Sequence, residues 1–172
     1  MSNSVPGDGA AGLRHAERRS ARFAAVQALY QMELTGSDAE TVLQEFVDHR
    51  FVPEAGAGYH GTPDEEFFGA LVRGVPHLQS EIDREIASSL SASWSLKRID
   101  SILRAILRTA TCELIERQDT PARVVIDEYV EIANRFFDGD ERAFVNAVLD
   151  RLARRKRPAE FGLPPSADEP AF

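Results

Sequence analysis

Apolar residues recur along the chain at intervals of three and four, and this period predicts helices throughout. In ERRSARFAAVQALYQMEL (Glu17 to Leu34), Phe23, Val26, Leu29, Tyr30 and Leu34 form a core-seeking stripe. A first helix is therefore expected from about His15 to Thr35, stopped by Gly36. Ser37 or Asp38 can cap a second helix, built on Val42, Leu43, Phe46 and Val47. A third is expected to open with Thr62 as N-cap, Pro63 at the first position and Glu65 completing a capping box. It buries Phe67, Phe68, Leu71, Val72 and Val75, and Pro76 ends or kinks it. Leu78, Ile82, Ile86 and Leu90 mark a fourth helix over 77–90. From Leu96 to Arg117 the apolar face is widest, which predicts the central buried helix, with Trp94 as a staple over its first turn. Thr120-Pro121 repeats the cap-plus-proline start ahead of Val125, Tyr129, Ile132 and Phe136. Asp138-Gly139-Asp140 is a turn, and Asp140 is placed to cap a last helix through Phe144, Val145, Val148, Leu149 and Leu152.

No stretch alternates as a strand would. About seven helices on short links define an all-α fold, a compact bundle in two small helical subdomains with a break near 79–95. The small, polar residues 1–13 and the Pro-rich residues 158–172 are expected to be disordered tails around a folded domain over 14–157. There is no fixed-period repeat, so a solenoid is not expected. The link HRFVPEAGAGYHG formally matches G-x-G-x-x-G through Gly56, Gly58 and Gly61. A dinucleotide site needs a buried strand before those glycines and a helix opening from them, and Pro53 and Thr62-Pro63 deny both.

Composition changes the picture in one respect. The 172 residues are 43% hydrophobic, enough for a real core, and carry a net charge of −8. Yet residues 14–22 and RLARRKR (151–157) together hold nine of the 20 basic residues and one of the 28 acidic ones. Eleven basic against twenty-seven acidic residues remain, net −16. Such a chain is suited to meeting a polyanion at a defined site, because local potential and not total charge governs the contact. RLARRKR also has a simpler explanation, since cations favour a helix C-terminus. Arg14, Arg18 and Arg22 fall on one helical stripe bordered by Arg19.

The rest of the composition excludes. No apolar run approaches the ~20 residues that span a bilayer, and MSNSVPGDGAAGL lacks the basic and apolar regions of a signal peptide, so no membrane partner is expected. A lone cysteine, Cys112, permits no internal disulfide, and a cytoplasmic location is expected. G-x-x-x-x-G-K, G-x-S-x-G and H-E-x-x-H are absent. His15, His49, His60 and His77 are scattered without metal-ligand spacing, and acids such as Asp64, Glu65 and Glu66 sit where a helix dipole explains them. No enzymatic activity, cofactor or metal is expected.

Three blocks carry a family resemblance. ERRSARFAAVQALYQMELTG resembles the opening helix of the NusB family of bacterial transcription antitermination factors. WSLKRIDSILRAILRTATCEL resembles that family's central helix, and TPARVVIDEYVEIANRFFDGDERAFVNAVLDRLAR its C-terminal signature. Their order and spacing hold over roughly 17–155. The resemblance implies an all-helical RNA-binding adaptor in two helical subdomains. It would bind boxA-type single-stranded RNA with NusE, a ribosomal small-subunit protein, and join the RNA polymerase elongation complex with other Nus factors, notably on ribosomal RNA operons. It implies that Arg18, Arg19 and Arg22 contact RNA, that Gln27 one turn on reaches a base edge, and that Phe136, Asp140 and Phe144 flank the RNA path. Guanidinium suits a single strand because it pairs with phosphate and stacks on bases. Phe136 and Phe144 equally fit core stripes, and Asp140 equally fits a helix cap. Tyr30 falls near the family's NusE surface or is a half-buried tyrosine with a wet hydroxyl. Leu103 stands where many relatives carry an acid that helps bind NusE, and Ser20 interrupts what can be a longer arginine run. The residues leave monomer and homodimer open. Two other readings stay beside this one: a detached domain related to ribosomal RNA cytosine methyltransferases, and a purely protein-binding helical adaptor.

Overall fold

The computed structural model describes residues 7–52, 59 and 61–167. Expectations for 1–6, for 168–172 and for 53–58 and 60 of the glycine-rich link lie outside the described residues. Among the described residues there is no strand, and seven α-helices carry the fold: α1 (Gly7–Thr35), α2 (Ala39–Glu45), α3 (Glu65–His77), α4 (Gln79–Ser89), α5 (Ser101–Glu116), α6 (Ala122–Phe136) and α7 (Glu141–Lys156). A π-helical turn, Phe46–Arg50, extends α2, and 3-10 turns occupy Leu96–Arg98 and Pro158–Phe161. No described helix is long and apolar enough to cross a membrane.

The chain divides into two compact units, residues 1–73 and 74–172. The division falls inside α3 and not at 79–95, and α3 is continuous through it. Pro76 lies within it, and the Leu78 N–H still bonds the Gly74 carbonyl at 2.9 Å.

In the first unit α1 begins at Gly7, so residues 7–13, expected outside the fold, form its opening turns. Its core face is built on alanine. Ala21, Ala24, Ala25 and Ala28 are fully buried and pack with Val42, Leu43, Phe46, Phe67, Phe68, Leu71 and Val72. Small side chains allow close approach of neighbouring helices, which a reading weighted to large residues overlooks. Phe23, Val26 and Leu29 are buried as expected, whereas Leu34 is 62% exposed. The ends of the glycine-rich link are anchored by aromatics: Phe51 packs edge-on to Phe68 (4.9 Å) and Tyr59 (5.6 Å), and Tyr59 edge-on to Phe23 (6.0 Å). Asp38 caps α2 through the Thr41 N–H at 2.8 Å. Asp64, not Thr62, caps α3, accepting from the Phe67 N–H at 3.0 Å.

In the second unit α5 is the central helix, with a buried run from Ala105 to Leu107 and from Thr109 to Leu114. It starts later than expected: Leu96–Arg98 is a separate 3-10 turn, and Asp100 caps α5 by accepting from the Ile102 N–H at 2.8 Å. Helices α4, α6 and α7 pack around it. Its buried polar groups are satisfied internally. Thr109 and Thr111 each donate to the carbonyl one turn back at 2.7 Å, and the Tyr129 hydroxyl donates to the Glu113 carboxylate at 2.8 Å.

The start of α6 is closed from a distance. Pro121 occupies the cap position, and the Ala122 N–H donates to the Glu160 carboxylate at 2.9 Å. Arg157, 4% exposed, closes the end of α5. Its guanidinium donates to the carbonyls of Leu114 (2.9 Å), Arg117 (3.0 Å), Glu113 (3.3 Å) and Thr120. One side chain thereby fills acceptors that a helix terminus leaves without intrahelical partners. Residues 158–161, expected in a disordered tail, are the 3-10 turn that carries Glu160.

Candidate nucleic-acid interface

The two basic stretches behave differently. RLARRKR is consumed inside the second unit, where α7 fastens to α4. Arg151 donates to the Ser89 carbonyl at 3.0 Å. Arg155 donates to the Glu85 carbonyl (2.9 Å), the Glu85 carboxylate (2.8 Å) and the Ser89 hydroxyl (3.0 Å). Lys156 pairs with Glu85 at 3.6 Å, Arg154 with Asp150 at 2.9 Å, and Arg157 caps α5 as described. Burial pushes the Glu85 carboxyl up, but the Arg155 hydrogen bond and the Lys156 and Arg155 charges outweigh it and hold the group below the usual carboxylate range. Most of this stretch is therefore engaged within its own unit, with Arg151 and Arg154 remaining exposed.

The stretch on α1 is presented. Arg14 and Arg19 are exposed and Arg18 is half-buried. The Arg18 and Arg22 guanidiniums, one turn apart, lie 4.9 and 5.1 Å from the centroid of the buried Phe67 ring. Phe67 is fixed by the Asp64 cap, and the Asp64 N–H donates to the Glu17 carbonyl at 3.1 Å, tying the start of α3 to α1. Arg22 is only 3% exposed, its guanidinium held against Phe67 beneath the surface. Ser20 is 2% exposed, so an arginine there would have to be buried, a physical reason for the interrupted run. Gln27 is half-buried, and its side-chain oxygen accepts from the Tyr59 hydroxyl at 2.9 Å, a bond that does not involve the amide nitrogen. Tyr30 is half-buried on the same helix.

The other expected residues belong to the second unit. Phe136 at the end of α6 and Phe144 in α7 are both half-buried, and the Asp138–Asp140 turn between them is exposed. Asp140 stands at the N-cap position of α7 but makes no capping hydrogen bond, contrary to the cap expectation. Glu141 closes the turn instead, its carboxylate accepting from the Gly139 N–H at 3.1 Å. Phe144 has a partner that the sequence misplaced. Trp94, expected to staple α5, is 54% exposed and lies 6.0 Å from the Phe144 ring at an interplanar angle of 44°. Leu103 is buried at 8% exposure, so it presents no acid or other polar group to a partner. Among the described residues no group of His, Cys, Asp and Glu is arranged to hold a metal ion.

Comparison with known proteins gives a consistent result. Residues 19–154 match the NusB family. The transcription antitermination protein NusB of Maricaulis maris is 51% identical over 144 residues, covering 84% of this chain and 90% of that protein. Its counterpart from Caulobacter vibrioides is 47% identical over 146 residues, covering 85% and 98%. Among solved structures, T. maritima NusB superposes with a TM-score of 0.70 at 35% identity, covering 85% of this chain and 97% of that one. A structure of the antitermination factors NusB and NusE in complex with double-stranded RNA superposes with a TM-score of 0.67 at 25% identity, covering 80% and 96%.

Proposed function

The chain belongs to the NusB family, and on that premise we propose that it is an RNA-binding adaptor of transcription antitermination. It binds a boxA-type single strand together with NusE and joins the elongating RNA polymerase with other Nus factors in the cytoplasm, notably on ribosomal RNA operons. The observation that carries the reading is the arginine face of α1. On a chain of net charge −8, Arg14, Arg18 and Arg19 reach the surface, and the buried Arg22 lies against the same Phe67 ring as Arg18. A relative of the same fold solved with NusE and RNA supports the choice of partners. In this reading Arg18 and Arg19 pair with phosphates, Arg22 positions Arg18, and Gln27 donates its amide to a base. Tyr30 is assigned to the NusE surface, and Phe136, Asp140 and Phe144 to the RNA path.

The test is binding of a boxA-type RNA and a scrambled strand, with and without NusE. Two to three phosphate contacts on this face contribute roughly −1.5 to −2 to the slope of log K against log salt for a single strand. Arg18→Glu with Arg19→Glu should abolish binding with helicity intact. Normal binding by that double variant would overturn the reading. Arg22→Glu is the poorer probe, because it would bury a carboxylate beside Phe67.

A further inference from the structure

Building on the RNA reading, we propose that Trp94 and Phe144 form a stacking platform for an unstacked base, with Lys97 and Arg98 holding the adjoining phosphates. The pairing is the first support. Trp94 is 54% exposed and Phe144 half-buried, so their rings form an aromatic surface facing solvent and not a piece of core. An aromatic face of this kind accepts any base, since every base has a π-face.

Charge is the second support. Most basic side chains of this unit are committed: Arg104 to the Leu96 and Ile99 carbonyls, Arg108 to Asp83, Arg142 to Glu131, and the α7 cluster to α4 and α5. Lys97 and Arg98 are exposed and, among the described residues, form no ion pair, side-chain hydrogen bond or ring contact. They sit on the 3-10 turn that starts two residues after Trp94, so Lys97 and Trp94 lie within about 11 Å along the backbone. Asp100, two residues after Arg98, is engaged in the α5 cap, whereas the exposed Asp138 and Asp140 and the half-buried Glu141 lie just before Phe144 in the chain. Those acids repel phosphate and leave an uncharged base as the group suited to the rings. The strand's phosphates are thereby directed to the Lys97–Arg98 side.

Trp94 is the chain's one tryptophan, so its fluorescence reports this site alone. The experiment titrates the full chain with a boxA-type single-stranded RNA. It follows Trp94 emission alongside the anisotropy of a labelled copy of the strand. Expected are quenching that tracks binding, a weakening of about 5- to 100-fold for Trp94→Ala at unchanged melting temperature, and recovery of most affinity in Trp94→Phe. Lys97→Ala and Arg98→Ala should each make the salt slope shallower by roughly 0.7. If RNA binds and Arg18→Glu weakens it, yet Trp94 emission stays constant and Trp94→Ala binds normally, the platform is wrong while the RNA reading stands. If Trp94→Ala spares RNA and weakens NusE capture, the surface is a protein-docking one and the proposal falls. If the wild type binds no RNA in either assay, the underlying reading fails first.

Discussion

At the scale of single residues, Asp140 illustrates how a helix position and a side-chain role come apart. It holds the N-cap position of α7, but its exposed carboxylate accepts no backbone N–H, so its charge contributes only a small helix-dipole effect. Asp140→Asn should therefore leave the urea midpoint within about 0.5 kcal/mol of wild type. It should also tighten boxA-type RNA by removing a like charge, and unchanged RNA affinity would sink that role. Cys112 is the opposite case, a reactive group made inert. Burial pushes its thiol up to about 12, with the Glu116 and Glu113 charges adding to the effect. Iodoacetamide at pH 8 should leave Cys112 unmodified in the folded protein and label it fully in urea. Rapid native labelling would contradict the burial. The chain's text foretold the inert cysteine, because it falls on the most apolar helix. It did not foretell Arg22: nothing in the spacing of three arginines says which guanidinium lies at the surface and which rests on a ring from another helix.

At the scale of elements, helix ends decide most of what local spacing could not. Capping logic found Asp38 because the cap and its N–H are three residues apart. It missed Arg157 and Glu160, which act on α5 and α6 from 43 and 38 residues away. Arg157→Ala would remove the donor to the Leu114 and Thr120 carbonyls, while those of Glu113 and Arg117 keep backbone N–H donors, and should cost about 3 kcal/mol. Arg157→Lys should recover little, since an ammonium cannot span the same acceptors. Thermal unfolding followed by circular dichroism checks both. The α4–α7 clamp adds a pH dependence with a definite sign. The folded carboxyl of Glu85 titrates below its ordinary value near 4.5, so its contribution is full above that value and fades as pH falls through the folded one. The gap in urea midpoint between wild type and Glu85→Gln, worth about 1–3 kcal/mol, should be flat from roughly pH 5 to 8 and close progressively below pH 4.5. A gap that widens on acidification would reverse the assignment.

At the scale of the whole molecule, charge bookkeeping and packing must be read together. Seven helices and the all-α class were visible in periodicity alone, because each helix buries a stripe wide enough to show. The boundary between units was not, because α3 runs through it without a break in pattern. Nor could counting show that the C-terminal basic stretch is fastened to α4 and α5 within its own unit. That fastening is measurable. Arg151→Gln with Arg155→Gln should lower the melting temperature by several degrees. It should change the salt slope of RNA binding by less than the roughly 0.7 that one phosphate contact contributes. Loss of RNA binding at unchanged stability would return the C-terminal stretch to the interface.

The long-range closure by Arg157 also bears on how the chain is made. Synthesis is vectorial, and α5 emerges with its last carbonyls facing water until a residue 43 positions later follows it. At roughly 5–20 residues per second, that interval lasts about 2–9 s. Throughout it the second unit has its central helix but not the side chain that seals it. Completion of this half of the protein therefore waits on translation, and slow codons between Leu114 and Arg157 would lengthen the window in which the end of α5 stays open to water.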